Sequence, residues 1–137
     1  VDGASAGDPM LRGTVTSERE AIIAVSVRGP TGRVLDTEAV VDTGFDGYLC
    51  LPPTAIAQLR LPWIESGEAT LADGSDCLVE VYQGTVLWDG HALSLLVDEV
   101  DTDPLVGMGL LEGHELKIEV RPGGKVTIKR LPRRRRA

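Results

Sequence analysis

Residues 40–49 read V-V-D-T-G-F-D-G-Y-L, and this stretch constrains the fold more than any other. Val40 and Val41 carry Asp42 to the end of a strand. Gly44 turns the backbone past it, with no side chain to hold off a second segment or a bound peptide. Taken alone, Asp-Thr-Gly also describes an Asp-initiated turn between two strands. Its company narrows the choice. About sixty residues on, L-V-G-M-G-L-L at 105–111 is a second apolar-apolar-Gly element that runs into a short helical pattern.

The rest of the chain is punctuated as short strands. Ala21, Ile23, Val25 and Val27 alternate within residues 12–28, which read as one or two strands. Gly29-Pro30-Thr31-Gly32 is a turn, and residues 33–41 form the return strand that delivers Asp42. Residues 48–51 make a short strand stopped by Pro52-Pro53, and 54–59 suit one or two helical turns after Pro53. Alternation over 68–72 leads into Asp73-Gly74, a two-residue hairpin signal, and apolar residues then run to Trp88-Asp89-Gly90. Further strands are expected over about 91–100, at 105–106, and at 116–120 and 126–129 around Arg121-Pro122-Gly123-Gly124, with a brief helix over 107–113. Strands with turns every 8–12 residues indicate an all-β, barrel-like domain. At 137 residues the chain fits one domain with a sizeable core.

At V-V-D-T-G-F-D-G, the A-D-G-S hairpin near 73, W-D-G at 88–90 and P-L-V-G-M-G-L-L, the chain resembles the retropepsin-like aspartic proteases. The likeness is to the small single-domain bacterial members and covers roughly residues 20–130. It implies an acid-protease barrel with one short C-terminal helix, forming half of a two-fold dimeric active site. It makes Asp42 the catalytic carboxylate, with Thr43 and Gly44 supporting its loop. Phe45 and Asp46 would line a bound peptide, and Ala72, Asp73, Gly74 and Ser75 would form a flap over it. Leu105, Val106 and Gly107 would brace the loop from behind. Two positions depart from the family pattern. Phe45 replaces a small Ala, and Met108 stands where retroviral members carry an Arg that pairs with the acid at Asp46.

Each residue also has a plainer reading. The Thr43 hydroxyl stabilises a local turn as readily as a dimer, and Asp46-Gly47 is an ordinary turn dipeptide. Ala72 to Ser75 is equally a plain hairpin tip, and 105–107 is core under any function. The implied chemistry still follows from the carboxylate. Two carboxyls about 3 Å apart cannot both ionise, so one activates water while the other hydrogen-bonds the scissile carbonyl. A single Asp-Thr-Gly supplies half of that pair, so the second Asp42 must come from another copy across a two-fold axis. The expected activity is therefore an aspartic endopeptidase acting on peptide or protein as a homodimer, with no cofactor and no metal. The alternative is a dimeric peptide-binding or assembly module that keeps the fold without the chemistry.

Charge is unevenly distributed. Net charge is −7, yet residues 1–128 hold 8 bases against 21 acids, a balance of −13. An acidic body argues against a nucleic-acid face on the domain. The run R-R-R-R at 133–136 is the exception, able to attract RNA, an anionic membrane, an acidic partner or the acidic body itself. Residues 132–137 otherwise read as a disordered basic tail, 10–131 as the protease domain, and 1–9 as an appended remnant ahead of Met10. Cys50 and Cys77 read as free thiols in a reducing, cytoplasmic setting. His91 and His114, on separate strands, offer no metal spacing, and no stretch reaches the ~20 apolar residues of a membrane span.

Overall fold

In the computed structural model, which describes residues 10–133, β1 (Met10–Val15) and β2 (Ala21–Arg28) form a hairpin. Its turn is held by Thr16, whose Oγ1 accepts the N–H groups of Glu18 and Glu20 at 3.2 and 3.1 Å. The alternation of β2 is clean, with Ala21, Ile23, Val25 and Val27 all buried. β3 (Val34–Val41) returns antiparallel along β2, and Asp42 follows its last residue. β4 (Leu49–Leu51) is buried throughout and ends at Pro52. Pro53 then opens α1 (Pro53–Leu59), where a missing N–H costs nothing. The helix ends on Arg60 in the left-handed region, φ 54°.

β5 (Trp63–Thr70) and β6 (Asp76–Trp88) form a long hairpin, and β6 continues antiparallel into β7 (His91–Glu99). The two turns differ. Asp89 and Gly90 both have positive φ, 55° and 81°, giving the tight two-residue turn that joins β6 to β7. The expected two-residue turn at Asp73-Gly74 is instead a three-residue tip, Ala72 to Gly74. Leu71 N–H donates to Ser75 O at 2.7 Å, and Gly74, at φ 86°, donates to Leu71 O at 2.9 Å. Asp73 decides this, because its Oδ1 takes both the N–H and the hydroxyl of Ser75 and so widens the turn. β5 also starts at Trp63, earlier than the alternation suggests. Residues 63–66 are all exposed and lack a buried face to read, while Trp63 Nε1 and Ser66 Oγ donate to Glu80 Oε1 across the pair.

β8 (Leu105–Val106) precedes α2 (Met108–Leu111), and β9 (His114–Ile118) with β10 (Lys125–Arg130) closes the chain as a hairpin on β1. The sheet order is β5-β6-β7-β4-β8-β3-β2-β1-β10-β9, and β2 also pairs with β6. That second pairing closes β2, β6, β7, β4, β8 and β3 into a barrel. Two pairings are parallel, β3 with β8 and β4 with β7. Val27, Leu49, Leu51, Val86, Val97 and Val106 fill the interior with no exposed surface, and Leu59 seals one end through α1. The fold expected from sequence, an all-β barrel with a short helix after Gly107, is the fold observed. No helix among the described residues is long and apolar enough to cross a membrane. The arginine run falls mostly outside the described residues, as do residues 1–9.

Leu59 has no exposed surface, and its backbone carbonyl lies against Gly29, so α1 has little freedom to settle into a void. Leu59→Ala should cost about 2–5 kcal/mol of unfolding free energy, read by urea denaturation. A loss near zero would mean that α1 is not part of the cooperative core.

Candidate active site

Asp42 sits where β3 ends, at the start of loop 42–48, which leads into β4. β8 lies between these two strands and bonds to both ends of the loop. Asp42 N–H donates to Val106 O at 2.8 Å, and Gly107 N–H donates to Tyr48 O at 3.0 Å. Met108 and Gly109 continue the clamp, donating to Phe45 O at 2.8 Å and Gly47 O at 2.9 Å. Val106 and Gly107 therefore hold the two ends of the loop, and Leu105 pairs with Val40 and Cys50 on the strands either side. Asp42 is half-buried, and its Oδ1 accepts the N–H of Gly44 at 2.9 Å, which fixes the carboxylate plane. The Thr43 hydroxyl is exposed and has no partner among the described residues.

Close approach in this site depends on Gly107 more than on Gly44. A Cβ on Gly44 would meet only the Asp42 carboxylate, at 3.2 Å, within this chain. A Cβ on Gly107 would overlap Phe45 and the Gly47 carbonyl, and one on Gly109 would stand 2.8 Å from Gly47 O. Phe45 is half-buried, with its ring between Gly47 and Gly107; a Cβ on Gly47 would reach its ring carbons at 2.6 Å. Two glycines thus accommodate the aromatic ring, which packs into the brace.

Asp46 is exposed, and no Lys or Arg among the described residues pairs with it. Met108 is exposed, and the only Lys or Arg between residues 34 and 116 is Arg60. The charge of Asp46 is instead felt by Asp98, whose carboxyl is pushed up by burial first and by Asp46 second. Asp98 lies on β7 opposite Cys50 of β4. Burial, then Asp98, then Asp42 push the Cys50 thiol up to about 12, so it stays protonated and is no nucleophile. Asp98 is the residue that sequence reading missed. Its signal was an acid directly following the apolar run L-L-V at 95–97. Cys50 and Cys77 are both free, and no cluster of metal-ligating side chains occurs among the described residues.

Every residue of the hairpin tip 71–75 is exposed, and its hydrogen bonds among the described residues are internal to it or to the strand ends. The Ser75 hydroxyl, then its N–H, hold the Asp73 carboxyl below its usual range, so the tip carries a firm negative charge. A broad groove of about 770 Å³ opens elsewhere on the barrel, lined by β2, β3 and the β6–β7 turn, and Asp42 is not part of it.

By sequence, the chain matches no protein family profile and no curated protein. By structure, it is similar to a retropepsin-like aspartic protease from Rickettsia conorii, solved by crystallography. The two share 13% sequence identity and superpose with a TM-score of 0.60 over 90% of this chain and 91% of the other. The fold is that of the retropepsin-like aspartic proteases.

Two outcomes test this geometry. Gly107→Ala should destabilise the chain by about 1–3 kcal/mol, because its Cβ meets backbone and a clamped ring; an unchanged denaturation midpoint would remove the brace from the argument. Asp98 keeps its proton to higher pH when folded than when unfolded, so it weakens the fold increasingly as pH rises through its folded titration. The stability of Asp98→Asn relative to the parent should therefore grow from acid to neutral pH. A difference that is constant or shrinks would contradict it.

Proposed function

We propose that the protein is an aspartic endopeptidase that works as a homodimer, with Asp42 of each copy forming the catalytic pair. The observation that carries this reading is the presentation of Asp42. Its carboxylate is half-exposed, oriented by the Gly44 N–H, and mounted on a loop pinned at both ends to β8. Rigid placement of that kind is what acid–base chemistry requires. The likeness in fold to a retropepsin-like protease supports the same reading.

In the dimer, two Asp42 carboxyls share one proton. The ionised partner takes a proton from the attacking water, and the protonated one hydrogen-bonds the peptide carbonyl as negative charge develops there. Thr43, exposed at the loop surface, fits a hydroxyl that finds its partner in the second copy. Residues 72–75 close over the peptide as a flap and exclude water. Asp46, with no cation of its own chain, faces the substrate backbone. That last feature also favours a second reading, a dimeric peptide-binding module, since the charge pair that steadies the loop in retroviral members is missing here.

Asp42→Asn should lower peptide hydrolysis by at least ~10²-fold while leaving the denaturation midpoint and the dimer intact. Cleavage of a peptide library by parent and variant, with sedimentation of both, measures it. A parent that dimerises and binds peptide without cleaving would establish the binding module. Equal cleavage by the variant would place the chemistry elsewhere.

A further inference from the structure

The acidic body carries one compact basic spot. Gly29 lies so close to the Leu59 carbonyl that a Cβ there would overlap it, which packs the β2–β3 turn onto the end of α1. That contact brings three arginines together. Arg28 precedes Gly29, Arg60 follows Leu59, and the Arg33 carbonyl accepts the Gly29 N–H at 2.9 Å. All three are exposed, and none pairs with a carboxylate among the described residues. Arg60 also holds φ 54°, a conformation that glycine adopts at lower cost.

Beside them a groove of about 160 Å³ opens on the outer side of the barrel, between residues 28–30 and Pro62. Its floor is a row of side chains across three strands. Arg28 of β2 lies opposite Thr85 of β6, and Thr85 opposite Ser94 of β7, with neighbouring strands about 4.8 Å apart. Ser94 Oγ accepts Gln83 Nε2 at 2.6 Å, which leaves its own O–H to donate. The Thr85 hydroxyl has no partner among the described residues. We propose that this groove binds a terminal phosphate group, with Arg28, Thr85 and Ser94 as its donors and Arg33 and Arg60 beside it.

Size, donors and charge each point to such a group. The groove is smaller than the roughly 300 Å³ at which small-molecule pockets begin, so it takes one functional group rather than a whole ligand. A carboxylate presents two oxygens and one charge to the row. A terminal phosphate presents three oxygens and close to two charges, which suits three donor side chains with two more arginines at hand. Arginine at a helix C-terminus also suits the carbonyl ends there, but Arg60 alone meets that need and leaves Arg28 and Arg33 unexplained. A nucleic-acid strand would run from this spot onto an acidic surface, so a single phosphate is the better match. β3 separates the groove from Asp42 by its whole length, about 26 Å for eight residues. The site therefore stands apart from the chemistry proposed at Asp42.

Amide spectra of the full chain, titrated with inorganic phosphate and with chloride at matched ionic strength, test this. The amides of Gly29, Thr85 and Ser94 should shift saturably with phosphate and stay in place with chloride. Arg28→Gln should weaken the binding at least about tenfold, the loss of one charge-assisted pair. Arg60→Gly should weaken it too while leaving the denaturation midpoint unchanged or higher, because glycine relaxes the left-handed cap. That second variant decides the matter if Arg28→Gln does not fold. A phosphoserine peptide that binds more tightly than inorganic phosphate places the group on a protein, and equal affinity places it on a small molecule; both support the site. Shifts that chloride reproduces, shifts that never saturate, or an affinity that survives both substitutions overturn it. Tighter binding of an oligonucleotide, spreading beyond these amides, assigns the arginines to nucleic acid and also overturns it.

Discussion

A two-residue strand holds the site together. β8 inserts between β3 and β4, and its backbone takes the N–H of Asp42 on one side and gives the N–H of Gly107 to Tyr48 on the other. Without it, loop 42–48 would join two strands with nothing between them. Val106 has no exposed surface, so the insertion is driven by burial as well as by hydrogen bonding. The short helix that follows extends the clamp, because Met108 and Gly109 turn their N–H groups back onto the loop carbonyls. Rigidity at Asp42 is therefore imported from a segment more than sixty residues away in sequence.

The glycines of this region serve packing more than turning. Neither Gly107 nor Gly109 has positive φ; both are required because the loop backbone lies where a Cβ would be. That explains how a phenylalanine is accommodated at 45. Its ring takes the space that Gly47 and Gly107 leave open, so its bulk is absorbed behind the loop.

Electrostatics divides the molecule in two. From residue 34 to 116 the chain has a single Arg or Lys, Arg60, and this stretch contains the Asp42 loop, the long β5–β6 hairpin and the β8–α2 brace. The remaining cations lie on β1, on the end of β2 and the loops around it, and on the β9–β10 hairpin with the segment after it. Asp46 and Asp98 show the local consequence. With no cation nearby, one carboxylate raises the proton affinity of the other, and burial adds to it. Burial first, then Asp98 and Asp42, keep Cys50 protonated.

Much of the architecture was legible because it is local. The alternation of β2, the Asp89-Gly90 turn, the stop at Pro52 and the helix opening at Pro53 each follow from a few adjacent residues whose backbone preferences leave little choice. The loop motif and the apolar-Gly element were equally visible as strings. Other features required the folded chain. The parallel pairings of β3 with β8 and β4 with β7, and the closure of β2 on β6, depend on which distant apolar strands bury one another, and periodicity does not encode partners. The three-residue tip arose from Asp73 binding Ser75, and β5 began early because an exposed edge strand carries no buried alternation. Asp98 became part of the site's electrostatics only when β7 lay beside β4. Sequence determined where the carboxylate sits on its strand and which backbone can turn there; tertiary structure decided what braces it and which charges surround it, because both are supplied by segments far along the chain.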